Sequence, residues 1–182
     1  MATLIIRPTG EPTSTTGFDV DDVVFVSRIS DADDGTAATQ NNVTCSAIGV
    51  AFADDSTYDS QTINSITLSV TGASSGRSTP TVTCYIKNGN STLQTSELTF
   101  SSATTLSGSA YTTSLTPAIV NNLTVDIDPD GNGVVLKEVF ITVDYGGGAS
   151  GYTHKVNTVA AANIGKVNTV ATANIGKINT VD

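Results

Sequence analysis

The sequence predicts an all-β protein: an antiparallel β-sandwich of jelly-roll type, followed by a glycine linker and a short tail of 11-residue repeats. Three observations predict it. Charged residues make up only 14% of the 182 residues, and Thr, Ser, Asn and Gly stand in their place. Those types suit strands joined by tight turns and suit helices poorly, because Ser, Thr and Asn compete for the backbone and Gly costs backbone entropy. Apolar and hydroxyl residues alternate with period two in several runs, the mark of a strand with one face buried. About eight such runs recur between turn signals over residues 1–146, which is the spacing of a sandwich, jelly roll or Greek key.

Taken in order, residues 2–7 are a short apolar run ended by Pro8, and 8–22, rich in Thr, Pro, Gly and Asp, read as loop. Residues 23–29 (VVFVSRI) read as a strand, and 31–42 (DADDGTAATQNN) as a solvated acidic loop. Residues 43–53 read as a strand with a glycine bulge. Residues 63–71 give the cleanest alternation, with Ile66, Leu68 and Val70 on one face and Thr67, Ser69 and Thr71 on the other. Residues 79–87 repeat it, with Val82, Cys84 and Ile86 inward. Asn88-Gly89-Asn90 then predicts a hairpin of type I′, because Asn-Gly supplies its positive φ angles, and 93–100 is the returning strand. A last pair, 115–127 and 134–145, is joined through Asp128-Pro129-Asp130-Gly131-Asn132-Gly133. The domain ends at residue 146, a glycine-rich linker spans 147–154, and the repeat tail spans 155–182.

Charge and composition exclude several function classes. The net charge is −9, and residues 1–149 carry 5 basic against 16 acidic groups. Such a body repels phosphate, so nucleic acid is not an expected partner. No run approaches the roughly 20 apolar residues of a membrane span, and the first eight residues do not form a signal peptide. The expectation is a protein made in a cytoplasm, without membrane insertion.

Candidate sites are few. Asp126, Asp128 and Asp130 stand in a D-x-D-x-D-G run, the alternating oxygens of a calcium loop. The twelfth position of that pattern is Lys137 rather than Glu, and the competing reading is a Pro-Asp-Gly turn between strands. No cofactor is expected, calcium excepted. His154 is the sole histidine, so it has no second imidazole for a metal pair. No nucleophile motif, phosphate loop or dinucleotide fingerprint is present, and no catalytic residue is assigned. Cys45 and Cys84 read either as two buried apolar side chains or as an inter-strand disulfide. Tyr58, Tyr85, Tyr111, Tyr145 and Tyr152 are scattered and read as packed at strand edges, although an exposed one could stack on a sugar ring.

The tail is the most distinctive segment. KVNTVAAANIG at 155–165 is followed by KVNTVATANIG at 166–176, and KINTVD begins a third copy. Copies this close imply one structural unit used serially. An 11-residue period matches three helical turns and would align Val156, Val159, Ala160, Ile164 and Val167 on one stripe. The Gly, Asn, Thr and β-branched content of each copy instead favours a strand, KVNTVA, turning through Ala-Asn-Ile-Gly. Neither form buries enough core to stand alone. The tail is therefore expected to order against a partner through Val156, Val159, Ile164, Val167, Val170, Ile175, Ile178 and Val181.

The opening ATLIIRPTGE resembles the ATLRPxGD start of jelly-roll modules in bacteriophage tail, fibre and other minor virion proteins. INSITLSVTG, TVTCYIKNGN and VFITVDYGGG are similar to later segments of those modules, and the tail to K-[IV]-N-x-V-A repeats of viral structural proteins. The resemblance covers about residues 1–147 plus the tail. It implies a non-enzymatic virion component: a capsid decoration protein, head fibre or tail appendage. The repeats would attach it to other virion proteins or to copies of itself, as a homo-oligomer for which a trimer is the analogy. Two alternatives accompany it. One is a carbohydrate-binding jelly roll that recognises a host-surface glycan. The other is a filament subunit whose tail completes the sheet of the next copy.

Overall fold

The computed structural model describes residues 2–10, 12, 18, 27–30, 37–39, 48–52, 55–76, 79–130 and 133–146, and in the tail 166–167 and 170–171. The chain divides into two compact units, Met1–Gly146 and Gly147–Asp182.

The first unit is an antiparallel β-sandwich with the strand order of a jelly roll. Its strands are β1 (Ala2–Ile6), β2 (Ala38–Thr39), β3 (Ile48–Ala51), β4 (Ile63–Ser74), β5 (Thr81–Asn88), β6 (Ser91–Thr99), β7 (Thr104–Ser107), β8 (Leu123–Asp130) and β9 (Val134–Tyr145). The back sheet runs β1-β9-β4-β7, with β2 also paired to β9, and the front sheet runs β3-β8-β5-β6. From β3 to β9 successive strands alternate between the layers, except that β5 and β6 are consecutive in the front sheet, which is the crossing pattern of a jelly roll.

Period-two alternation explains the core. Ile66, Leu68 and Val70 of β4 face Val82, Cys84 and Ile86 of β5 as members of one cluster, all fully buried, joined by Val139, Ile141 and Val143 of β9. Phe100, at the crossing from the front to the back sheet, is also fully buried, and its N–H donates to Pro80 O at 2.9 Å. Burying such side chains supplies about 1.5–3 kcal/mol each for the larger aliphatics.

The hairpin at Asn88-Gly89-Asn90 forms, but one residue out of the expected phase. Asn88 pairs with Ser91, so Gly89 and Asn90 are the central residues. Gly89 has φ of 57°, and Asn90 is not among the residues with positive φ. Gly at the first central position is the signature of type II′, not type I′.

Four segments differ from the sequence expectation. Residues 27–29 form a helical turn at the end of the run expected as a strand. Ala38–Thr39, inside the expected acidic loop, pairs with Leu136 and Val135. Pro117–Val120, inside an expected strand, is a short helix. Thr116 caps it by accepting from Ile119 N–H, and Pro117 fills the first turn, where its missing N–H is harmless. Gly49 pairs in regular register with Asp126, and the irregularities fall instead between Ile63 and Ser65, Thr71 and Gly72, and Ile86 and Lys87.

In the tail, β10 (Lys166–Val167) and β11 (Val170–Ala171) pair antiparallel, with Val167 opposite Val170. The second KVNTVA copy is thus a pair of very short strands that reverses between those valines, rather than one continuous strand. Val156, Val159, Ile164, Ile175, Ile178 and Val181 lie outside the described residues, as does the 147–154 linker with Tyr152 and His154.

Candidate functional site

The two outer faces of the sandwich carry similar residue types and treat them differently. On the back sheet, β4 presents Ser65, Thr67, Ser69 and Thr71, and β9 presents Glu138, Phe140, Thr142 and Asp144 beside them. Five of these seven polar groups have side-chain partners; Thr67 and Thr142, which face each other, have none among the described residues. Ser69 and Ser107 are register partners whose hydroxyls lie 2.8 Å apart, as are those of Thr71 and Thr105. Ser65 Oγ donates to Asp144 Oδ2 at 3.2 Å. Arg7 donates from Nε and Nη2 to Glu138 Oε1 at 3.1 and 2.7 Å, and its guanidinium stands 6.0 Å from the centroid of the Phe140 ring. Glu138 is only 8% exposed although it points outward, because Arg7 and Thr71 cover it. This face is closed upon itself.

The front sheet is open. Its outward residues form cross-strand rows fixed by register: Asp126–Tyr85–Thr95 and Asp128–Thr83–Glu97. Lys87 Nζ donates to Asp126 Oδ2 at 2.8 Å, and the hydroxyls of Thr81 and Thr99 lie 3.0 Å apart. Thr83, Tyr85, Thr95, Glu97 and Asp128 have no side-chain partner among the described residues. They surround the half-buried Tyr85 ring with hydroxyls and carboxylates that are left to water or to a ligand.

At the side of the sandwich this face continues into a groove. The edge strands β6 and β7 belong to different sheets and meet there. The groove has a volume of about 220 Å³ and is walled by Thr95, Ser96 and Glu97 on one side and Ser107, Gly108 and Ser109 on the other. Ser96 faces inward at the end of the row Ile127–Cys84–Ser96. Its Oγ is buried and has no hydrogen-bond partner. A Cβ at position 108 would overlap that oxygen and come within 2.8 Å of Ser96 Cβ. Glycine at 108 and a small residue at 96 are therefore what let the two edges approach.

The expected calcium ligands do not form a loop. Asp126, Asp128 and Asp130 lie within β8, which runs to Asp130 in register with Thr81. Successive outward residues of a strand stand about 7 Å apart along a line, so Asp126 and Asp128 are not drawn together as a calcium loop would draw them. Asp126 is moreover committed to Lys87. Among the described residues no group of three or more His, Cys, Asp and Glu could hold a metal. The strand prevails over the loop because Pro129 sits beyond Ile127, the last residue paired to β3, where a missing N–H breaks no bond on that side.

Cys84 is a free, fully buried thiol, and burial pushes its pKa up to about 12. The disulfide alternative needs Cys45, which lies outside the described residues. Tyr58 is buried, donates to Asn121 Oδ1 at 2.7 Å and packs at 6.1 Å between ring centroids on Tyr145. Tyr111 is held at Ile66 by paired backbone hydrogen bonds. These three are structural, which leaves Tyr85 as the described tyrosine on an open face. Sequence reasoning placed Asp126 and Asp128 correctly as polar but missed their neighbours. Thr95, Glu97 and Ser96 come from a strand with no motif, and only the register sets them beside Tyr85.

Neither a protein-family model nor a curated protein matches the sequence. Among solved structures, the chain is similar to the C-terminal CBM6 of LamC, a marine laminarinase from Zobellia galactanivorans. The identity is 10% and the TM-score 0.43, over 78% of this chain and 98% of that one. Among the described residues, no helix is long and apolar enough to cross a membrane.

Proposed function

We propose that this chain is a non-enzymatic binding protein whose front sheet recognises carbohydrate. The observation that carries the reading is the row structure around Tyr85, where Thr83, Thr95, Glu97 and Asp128 have no side-chain partner among the described residues, while most polar groups of the back sheet are paired, Ser69 with Ser107 and Thr71 with Thr105 among them. A sugar offers what that face lacks. Its hydroxyls donate to Glu97 and Asp128 and exchange hydrogen bonds with Thr83 and Thr95, and its apolar ring face stacks on an aromatic. The net charge of −9 disfavours anionic polymers, so the ligand class is a neutral glycan. No metal takes part in this reading. Glycan-array binding by the intact chain should therefore be the same with and without calcium and should be lost in Tyr85→Ala. Absence of any bound glycan overturns the reading.

A second reading is favoured by the near-identical 11-residue tail copies and places the sandwich in a virus particle, as a decoration protein, head fibre or tail appendage. The tail then attaches or oligomerises the chain. Light scattering of the intact chain against Met1–Gly146 tests it: an oligomer reduced to a monomer by truncation supports an assembling tail, and an unchanged oligomer sinks it.

A further inference from the structure

We infer that the groove between β6 and β7 is a separate subsite that takes one sugar unit of the same neutral glycan, at the point where the chain runs off the Tyr85 face. The inference rests on the carbohydrate reading and deepens it.

Four observations carry it. First, among the described residues β6 is bonded only to β5, and β7 only to β4. Each edge strand therefore leaves alternate backbone N–H and C=O groups unpaired on its open side, and the two open sides flank the groove. Second, the lining is almost wholly polar: Thr95, Glu97 and Ser109 border it with Ser107, whose hydroxyl is engaged by Ser69, and Leu98 is the one apolar neighbour. Third, Ser96, 7% exposed, leaves its hydroxyl unsatisfied in the wall. A buried unpaired hydroxyl is unfavourable, so a ligand or water that reaches it recovers that loss. Fourth, Glu97 belongs to both places, as the end of the row Asp128–Thr83–Glu97 and as a wall of the groove. It joins the face to the groove.

The size also selects. Drug-sized ligands fill roughly 300–1,000 Å³, and this groove offers about 220 Å³. It has room for one ring-sized unit of a polymer, not for an oligomer. A competing occupant is an extended peptide added to the β6 edge, for which the KVNTVA repeats of a second copy are the obvious source. In strand addition the main chain supplies the affinity and pockets matched to alternate side chains supply the specificity. Valines of that repeat would meet hydroxyls and a carboxylate, so the lining favours the sugar.

The test uses the intact chain and calorimetry against soluble neutral glucans and mannans, with the repeat peptide KVNTVATANIG as a separate probe. The variants are Ser109→Leu, which fills the groove from an exposed position, and Glu97→Gln, which keeps the shape and removes the charge. Tyr85→Ala reports on the face, and circular dichroism confirms that each variant folds. Loss of a charge-assisted hydrogen bond should weaken binding roughly ten-fold or more. That loss in both groove variants, along with loss in Tyr85→Ala, supports the subsite. Full affinity in Ser109→Leu, with loss in Glu97→Gln and Tyr85→Ala, overturns the subsite and leaves the carbohydrate reading standing. No binding of any glycan to the unmodified chain overturns both. Binding of the peptide that is abolished by Ser109→Leu overturns the subsite in favour of strand addition.

Discussion

The back face and the front face are built from the same few residue types, yet one is a finished surface and the other is not. Both present Ser, Thr, Asp and Glu from alternating strands. On the back sheet the register sets hydroxyl opposite hydroxyl, Ser69 with Ser107 and Thr71 with Thr105, and brings Arg7 onto Glu138. On the front sheet it sets Thr83 between Asp128 and Glu97, and Tyr85 between Asp126 and Thr95. Two carboxylates flanking a threonine cannot satisfy each other. Composition alone thus says little about whether a polar face is structural or available. What decides is whether donors fall opposite acceptors.

The comparison breaks most decisively at Glu138. Replacing it by Ala strands the Arg7 guanidinium. Breaking a fully buried pair costs roughly 3–5 kcal/mol, and because the Arg7 side chain is 32% exposed, water recovers part of that. We expect a loss of about 2 kcal/mol in urea unfolding, with glycan binding unchanged. An equal loss of binding would mean that the back face is not merely structural.

A matched pair sharpens the contrast at smaller scale. Thr71→Val removes one partner of a buried hydroxyl pair and should destabilise by about 1 kcal/mol. Thr83→Val removes a hydroxyl that has no partner and should stay within about 0.5 kcal/mol of the parent, while weakening glycan binding. Equal destabilisation by the two would erase the distinction between the faces.

The smallest effect lies off both faces. Hydrogen bonding from the Thr57 hydroxyl first, and from its N–H at 2.7 Å second, holds the Asp55 pKa below the ordinary 3.8. A carboxylate with a depressed folded-state pKa stabilises above its unfolded value and loses that contribution as pH falls through the folded one. The melting-temperature gap between the parent and Asp55→Ala should therefore be present at neutral pH and close at a pH below 3.8. A gap that persists in acid means that the side chain acts through packing instead.

Much of the fold was legible because strand alternation is local information. Ile66, Leu68 and Val70, and again Val82, Cys84 and Ile86, declared their inward face within a few residues. The segments that misread were those where a local competitor was as strong. Thr116-Pro117 is a helix start placed inside an apolar run. Ala38–Thr39 has no pattern of its own and is a strand only because β9 is long enough to pair with it beyond β1. The aspartates of β8 look like a calcium loop until the strand extends through Pro129. Of the candidate site, the sequence offered Tyr85, Asp126 and Asp128 as residues without saying that they share a face.

By itself, then, the sequence determined the all-β class, most of the core and the position of the hairpin, because each depends on neighbours within one strand or one turn. Only the tertiary structure decided which outward groups are paired and which are open. Arg7 and Glu138 are 131 residues apart, and Ser69 and Ser107 are 38 apart. The groove exists because two edges from different sheets meet where Gly108 and Ser96 are small enough to let them. Those contacts are set by sheet order and register, which arise when distant strands choose partners, and no local pattern encodes that choice.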